Sequence, residues 1–290
     1  MDLEARRKGI GGSDVGAILG YNSIPGACVY KTATEVWHEK VNGYSHNRTA
    51  SPDDPKTAML WWGIKLEPLL IEAYKYFEEV EEVQCGDEVG QVSHPDNPWL
   101  IANVDGISTV NGKKVVLEIK NSDRGDRNVW GESETDQVPL GYYMQVQHYM
   151  YVLGLDEARI VARVRGDTLI YHIMRDDDLI KEMVNKLSDF WHQNVLKKVP
   201  PKAEKLSDVK MSYKASEDEE VLLAGEDEFE MINNAKEIIS KLDEVKKEME
   251  VKKTELAEMM KEKIAIVNED GKKLVTFKPR KDGVRVFKIN

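Results

Sequence analysis

A chain of 290 residues is long enough for one large core, or for a catalytic region plus an accessory one, so stability requires no disulfide or structural metal. Its two cysteines, Cys28 and Cys85, lie far apart and outside any CxxC or Cys/His cluster, which argues against zinc and for reduced thiols in a cytoplasmic setting. A net charge of -11 argues against a nonspecific nucleic-acid coat, yet it is compatible with clustered carboxylates around divalent cations and with local basic patches.

The N-terminal stretch Met1 to Arg7 has no apolar core of the signal-peptide kind, and no segment approaches the ~20 apolar residues of a membrane span. Gly11-Gly12 lets the backbone approach a ligand closely, and Ser13-Asp14 opens a short helix. Free N–H groups and a hydroxyl then face one point, which suits an anion; an ordinary capped turn is the plainer alternative. Asp14 itself reads as a cap, since its charge has the wrong sign for phosphate.

From Thr57 to Val80, apolar residues recur at helical spacing (Met59, Leu60, Ile64, Leu66, Leu69, Leu70, Ala73, Tyr74, Phe77), which predicts one long helix carrying Glu67. Extended runs follow at Glu88–His94, Trp99–Val104 and Lys113–Lys120, the last after a turn at Asn111-Gly112, as in a hairpin or meander. A helix is expected over Pro139–Leu153, with Pro139 in its first turn and Gly154 as C-cap. Strands are expected at Ala158–Arg165 and Thr168–Met174, then a helix from Asp177 to Leu196 that stops before Pro200-Pro201.

Past Pro201 the character changes, so the expected boundary separates residues 1–200 from 201–290. An acidic run at Glu217–Glu220 leads into Glu226–Lys263, dense in Glu and Lys, with Ile232, Ile238, Ile239, Leu242, Val245, Met249, Leu256 and Met259 at near-heptad spacing. This reads as a coiled-coil-like arm. Two short β runs, Lys273–Lys278 and Val284–Ile289, flank Lys281-Asp282-Gly283. From Gly271 to Asn290 the only acid is Asp282, against seven lysines and arginines, so the hairpin is a basic surface on an acidic protein.

The chemistry concentrates in Asp105 and in Glu118-Ile119-Lys120. Alternation along a strand puts Glu118 and Lys120 on one face, while Ile119 turns to the other. A hairpin pairing brings Asp105, in Asn103-Val104-Asp105-Gly106, close to Glu118. Two converging carboxylates make a hard-oxygen site for Mg²⁺ or Mn²⁺, and Lys120 is placed to stabilise charge on a phosphoryl group, the chemistry of phosphodiester hydrolysis. Taken singly, a Glu-x-Lys is solvated charge and an Asp-Gly is a turn. The apolar run Val115-Val116-Leu117 argues instead that Glu118 is buried, where an unpaired carboxylate is costly.

Five ordered elements resemble the YqaJ-type viral recombinases, relatives of phage lambda exonuclease in the PD-(D/E)XK nuclease superfamily. They are Arg6-Arg7-Lys8-Gly9-Ile10-Gly11-Gly12-Ser13-Asp14, Trp62-Gly63-Ile64-Lys65-Leu66-Glu67-Pro68, Ala102-Asn103-Val104-Asp105-Gly106, Leu117-Glu118-Ile119-Lys120 and Tyr142-Tyr143-Met144-Gln145-Val146-Gln147-His148-Tyr149. The resemblance covers the first two-thirds of the chain. It implies an α/β fold with a restriction-endonuclease-like core, a central mixed sheet flanked by helices, here followed by a helical arm and a small β hairpin. It implies that Asp105, Glu118 and the Ile119 carbonyl are metal ligands, with Glu67 completing the site, that Lys120 is the catalytic lysine, and that Gln145 stands beside the nucleophile in a Gln-x-x-x-Tyr pattern with Tyr149. It further implies a pocket for a terminal 5′-phosphate formed by Gly12, Ser13 and Arg7, with Arg6 as the adjacent candidate. Asn103-Val104 replaces the Ser-Pro found before the aspartate in many superfamily members.

The activity implied is a Mg²⁺-dependent 5′→3′ exonuclease, with Mn²⁺ as substitute, that acts on double-stranded DNA ends and leaves single strands for recombination. An endonuclease of the same superfamily and a non-catalytic recombination scaffold are the alternatives. A toroidal homotrimer and a single-strand annealing protein are the partners the resemblance implies. For the C-terminal arm, an oligomerisation role, a docking role and a DNA-guiding role stand open.

Overall fold

The structure is a computed structural model that describes residues 3–43, 50–55, 57–80, 82–122, 127–213 and 221–290. In chain order its elements begin with α1 (Leu3–Arg7), β1 (Ile10–Gly11), α2 (Gly12–Ile18), α3 (Ala33–Asn42) and α4 (Ala58–Phe77). Next come β2 (Val83–Cys85), α5 (Gly86–Val89), β3 (Val92–Ser93), β4 (Leu100–Ala102), β5 (Gly106–Val110) and β6 (Lys113–Asn121). Then follow α6 (Leu140–Leu153), β7 (Glu157–Val164), β8 (Asp167–Met174), α7 (Asp177–Asp189) and α8 (Leu206–Ser212). Last are α9 (Glu226–Met260), β9 (Ala265–Val267), β10 (Lys273–Pro279) and β11 (Arg285–Ile289).

The central sheet runs β2-β5-β6-β7-β8. Its one parallel pair is β6 with β7, and a parallel pair needs a crossover, which α6 supplies. The other pairs are antiparallel, so the sheet is mixed. Period-two alternation sends residues to two layers. Val116, Ile160 and Ala162 pack with Met144 and Val146 of α6, while Leu117, Val161 and Ile170 pack with Leu70, Ile71 and Tyr74 of α4. Helices thus cover both faces of a central mixed sheet, and the C-terminal helix and hairpin are also present, as the sequence predicts.

Several local expectations are revised. The Glu88–His94 run is one helical turn, α5, followed by a two-residue strand, and the strands β2 and β5 and the helix α3 fall where the sequence pattern predicts none. On α4 the apolar residues ring the helix, since only Leu70, Ile71 and Tyr74 are buried while Leu60, Ile64, Leu69 and Phe77 are exposed. A periodic pattern marks the helix but does not say which residues the sheet covers. Helix α4 continues through Pro68. Pro139 is the N-cap of α6 rather than a first-turn residue, and Gly154 ends that helix at φ 65°, a left-handed conformation that glycine adopts without strain. The helix after β8 changes to a π-helical turn at Phe190–Val195.

The chain divides into two compact units, Met1–Lys214 and Ala215–Asn290. Residues 201–213, assigned from sequence to the second region, belong to the first. The reason lies in α8, whose buried Asp208 accepts a hydrogen bond from the Thr32 hydroxyl at 3.1 Å and from the Glu204 and Lys205 amides. Pro200-Pro201 ends a helix without ending the unit.

In the second unit, the coiled-coil-like seam residues Ile238, Ile239, Leu242 and Val245 are exposed. The three-stranded sheet β11-β10-β9 gathers around Val275, and Arg285 ties it to the end of α9 by donating to the Lys261 and Lys263 carbonyls. The acidic run Glu217–Glu220 lies outside the described residues.

Candidate active site

Strand β6 carries the chemistry. Val115, Val116 and Leu117 are fully buried, and Glu118 is only 3% exposed, so the apolar run does draw the carboxylate inside. Glu118 and Lys120 share a face, and Lys120 Nζ donates to Glu118 Oε1 at 2.5 Å and to Gln145 Oε1 at 3.1 Å. The Gln145 amide nitrogen in turn donates to Glu118 Oε1 at 2.6 Å and contacts the Tyr149 hydroxyl at 3.1 Å. Glu118 Oε1 therefore takes two hydrogen bonds, while Oε2 is buried with no hydrogen-bond partner among the described residues.

Asp105 reaches this point by the hairpin route. It immediately precedes β5, whose Gly106 pairs with Leu117, and its Oδ2 accepts the Ile119 backbone N–H at 2.7 Å. Burial raises the Asp105 carboxyl above its ordinary range, against the pull of Lys120 and the Ile119 amide. Glu67 approaches from α4; burial, then the charges of Asp105 and Asp87, raise it to about 7. Glu118 is raised to about 8 by burial, then by Asp105 and Glu67, although Lys120 opposes the shift. The charges of Asp105, Glu118 and Glu67 thus bear on one another, and Lys120 opposes them at Asp105 and Glu118. Such a set is short of positive charge.

That deficit is the fit test for a divalent cation. The donors are hard carboxylate oxygens, one of them an orphaned buried atom, and ionising all three together requires a cation that Lys120 alone does not replace. The residues fit.

The N-terminal segment stands beside this cluster. Parallel pairing of β1 with β4 brings Gly11 next to Ile101, and a Cβ on Gly12 would lie 2.6 Å from the Tyr149 ring, so only glycine allows α2 this close to α6. One expectation there is revised. Arg6, not Arg7, meets Ser13, donating to its hydroxyl at 2.6 Å, whereas Arg7 pairs with Glu4 and donates to the Val41 carbonyl. One turn of helix points adjacent residues in different directions, which the sequence does not resolve. The Gly11 N–H donates to Asp14 Oδ2 at 3.1 Å, the capping role that the sequence gives Asp14.

Two further groups escaped the sequence reading. Lys120 Nζ lies 4.6 Å from the centre of the Tyr142 ring, a cation–π contact that helps to seat the ammonium. Tyr142, Gln145 and Tyr149 are spaced i, i+3, i+7, so helical periodicity contained that signal. Asp87, whose charge bears on Glu67, lies on the helical turn α5, just before the run that the sequence reads as strand.

Residues 3–156 match the YqaJ-like viral recombinase domain. The uncharacterized protein YqaJ of Bacillus subtilis (strain 168) is 30% identical over 201 residues, 67% of this chain and 56% of its own length, so the chain spans just over half of that relative. Among solved structures, an alkaline exonuclease from Laribacter hongkongensis, LHK-Exo in complex with dAMP, is 18% identical with a TM-score of 0.47, covering 68% of this chain and 92% of that one. A phage related exonuclease from Haemophilus somnus 129PT is 16% identical with a TM-score of 0.47, covering 66% and 96%.

Proposed function

The chain belongs to the YqaJ-like viral recombinase family, and on that premise we propose that it is a divalent-metal-dependent 5′→3′ exonuclease that digests one strand of linear duplex DNA. The observation that carries this reading is the buried Glu118 with its unpartnered Oε2, set among Asp105, Glu67, Lys120 and Gln145. Asp105, Glu118, the Ile119 carbonyl and Glu67 would hold Mg²⁺, with Mn²⁺ as substitute. When bound, the ion supplies Lewis-acid polarisation of the scissile phosphate and lowers the pKa of a bound water.

The chain's own residues do the remainder. Lys120 keeps a positive charge beside the reacting phosphate, fixed by Glu118, Gln145 and the Tyr142 ring. Gln145 and Tyr149 hold the Glu118 carboxylate in one orientation, which limits reorganisation as charge develops. Arg6 and Ser13 are assigned to the terminal 5′-phosphate, close to the cluster because Gly12 packs on Tyr149. Positioned there, a terminal phosphate sets the distance from the DNA end to the cleaved bond. A homotrimer and a single-strand annealing partner complete the proposal.

The test is digestion of linear duplexes in Mg²⁺. A 5′-phosphorylated end should be degraded faster than a 5′-hydroxyl end, closed circular DNA should survive, and Lys120→Ala or Glu118→Ala should reduce turnover by roughly 10²–10³-fold or more with the fold intact. Robust digestion by Lys120→Ala sinks the assignment, and cleavage of closed circles replaces exonuclease with endonuclease.

A further inference from the structure

A second cluster of ligand-type side chains lies away from Glu118. Glu78 caps the C-terminal end of α4, His172 sits on β8 and Glu134 precedes α6; one ligand atom from each falls within 4.8 Å of the other two. Eleven residues separate Glu78 from Glu67 on α4, about 16 Å at 1.5 Å per residue, so the two clusters are separate sites.

The geometry centres on one nitrogen. His172 Nε2 lies 3.2 Å from Glu78 Oε1 and 3.0 Å from Glu134 Oε2. A ring nitrogen carries at most one proton, which points in the ring plane, so two carboxylate oxygens compete for a single hydrogen. A cation satisfies all three atoms at once. For bonds of ~2.1 Å, neighbouring ligands at 90° to 109° stand about 3.0 to 3.4 Å apart, the spacing of His172 Nε2 from each carboxylate oxygen, and the third pair lies within 4.8 Å.

The surroundings are already built. Glu78 Oε2 is occupied by Arg159 Nε at 3.3 Å, which orients the carboxylate with Oε1 toward His172, the role that outer partners play around metal ligands. The segment bearing Glu134 is pinned to β8 by main-chain bonds from Glu134 N to Ile170 O (2.8 Å) and from His172 N to Thr135 O (3.0 Å). Ser133 adds a side-chain bond to each backbone group of Ile170. The three ligands therefore come from an α4 end, a pinned loop and a strand, and need little rearrangement.

We propose that Glu78, Glu134 and His172 bind a divalent transition-metal ion of the Zn²⁺ or Mn²⁺ kind, which fastens residues 131–138 and the end of α4 to β8. Cysteine spacing argues against zinc in the sequence, but one imidazole and two carboxylates form a borderline-hard set that needs no thiol, and positions 78, 134 and 172 carry no spacing signature. The role is structural and is independent of the nuclease reading.

The experiment uses the full chain with Asp105→Asn and Glu118→Gln together, which disables the other site. After equilibrium dialysis against Zn²⁺ and metal analysis, this variant should retain one bound equivalent and a Zn²⁺-dependent rise in its thermal midpoint. Adding Glu134→Gln, an exposed change that leaves packing alone, or His172→Ala should remove both. Absence of bound zinc in the double variant, or retention of the same equivalent and the same midpoint rise after Glu134→Gln, overturns the site.

Discussion

Two buried carboxylates, each beside a lysine, behave in opposite ways. Asp14 on α2 is fully buried, with Lys40 of α3 at 2.7 Å and Arg6 at 3.8 Å. Glu118 on β6 is equally buried, with Lys120 at 2.5 Å. Burial pushes both carboxyls up, yet at Asp14 the two cations win and the pKa falls below the ordinary range, while at Glu118 the charges of Asp105 and Glu67 add to burial and the pKa rises to about 8. Charge balance, not burial, separates them. Cations outnumber the acid at the first site, which closes on itself and pins the N-terminal segment, since Lys40 also donates to the Arg6 carbonyl. Acids outnumber the cation at the second, which leaves a place for an added ion.

The largest expected effect breaks the first pair. Lys40→Met leaves Asp14 buried without its main partner and should lower unfolding stability by about 3–5 kcal/mol in denaturant titration, most of it recovered by a compensating Asp14→Asn. Equal stability of Lys40→Met and wild type would show that Arg6 alone balances Asp14.

A third buried titrating group sharpens the comparison, because it is held neutral rather than paired. His148 on α6 donates from Nε2 to the Ile101 carbonyl at 2.9 Å, and its burial depresses the folded pKa from 6.5 to about 4. Between these values the unfolded chain binds more protons. Stability is therefore complete above about pH 6.5 and is lost as pH falls toward 4, by about 3 kcal/mol in all. Replacing His148 with Gln should flatten that slope in urea titrations at stepped pH; an unchanged slope rules the histidine out as its source.

Smaller effects concern the ammonium at the second site. Tyr142→Phe keeps the ring under Lys120 and should leave the rate within about twofold, whereas Tyr142→Leu should lower it roughly thirtyfold, the value of a desolvated cation–π contact of about 2 kcal/mol. Equal rates for the two variants would assign Tyr142 to packing only. The smallest effect on stability is that of Glu118→Gln, which removes one of three repelling carboxylates and should stabilise the metal-free protein by about 1 kcal/mol. Destabilisation in EDTA would mean that the Lys120 pair outweighs the repulsion.

Much of this molecule is legible in its sequence, where the governing physics is local. Helical spacing marks α4 and α6, alternation places Glu118 and Lys120 on one face of β6, Val115 to Leu117 announce a buried strand, and Gly154 announces a C-cap. These are properties of a few adjacent residues and a backbone period. The folded chain alone decided that Arg6 rather than Arg7 meets Ser13, that residues 201–213 stay with the first unit, and that Tyr142 seats Lys120. It also decided that Glu78, Glu134 and His172 meet. Each of these depends on contacts between residues distant in sequence, or on the direction in which a side chain leaves a short helix. Neither composition nor periodicity encodes those directions, because they are set by which surfaces pack together when the sheet and its two helical layers close.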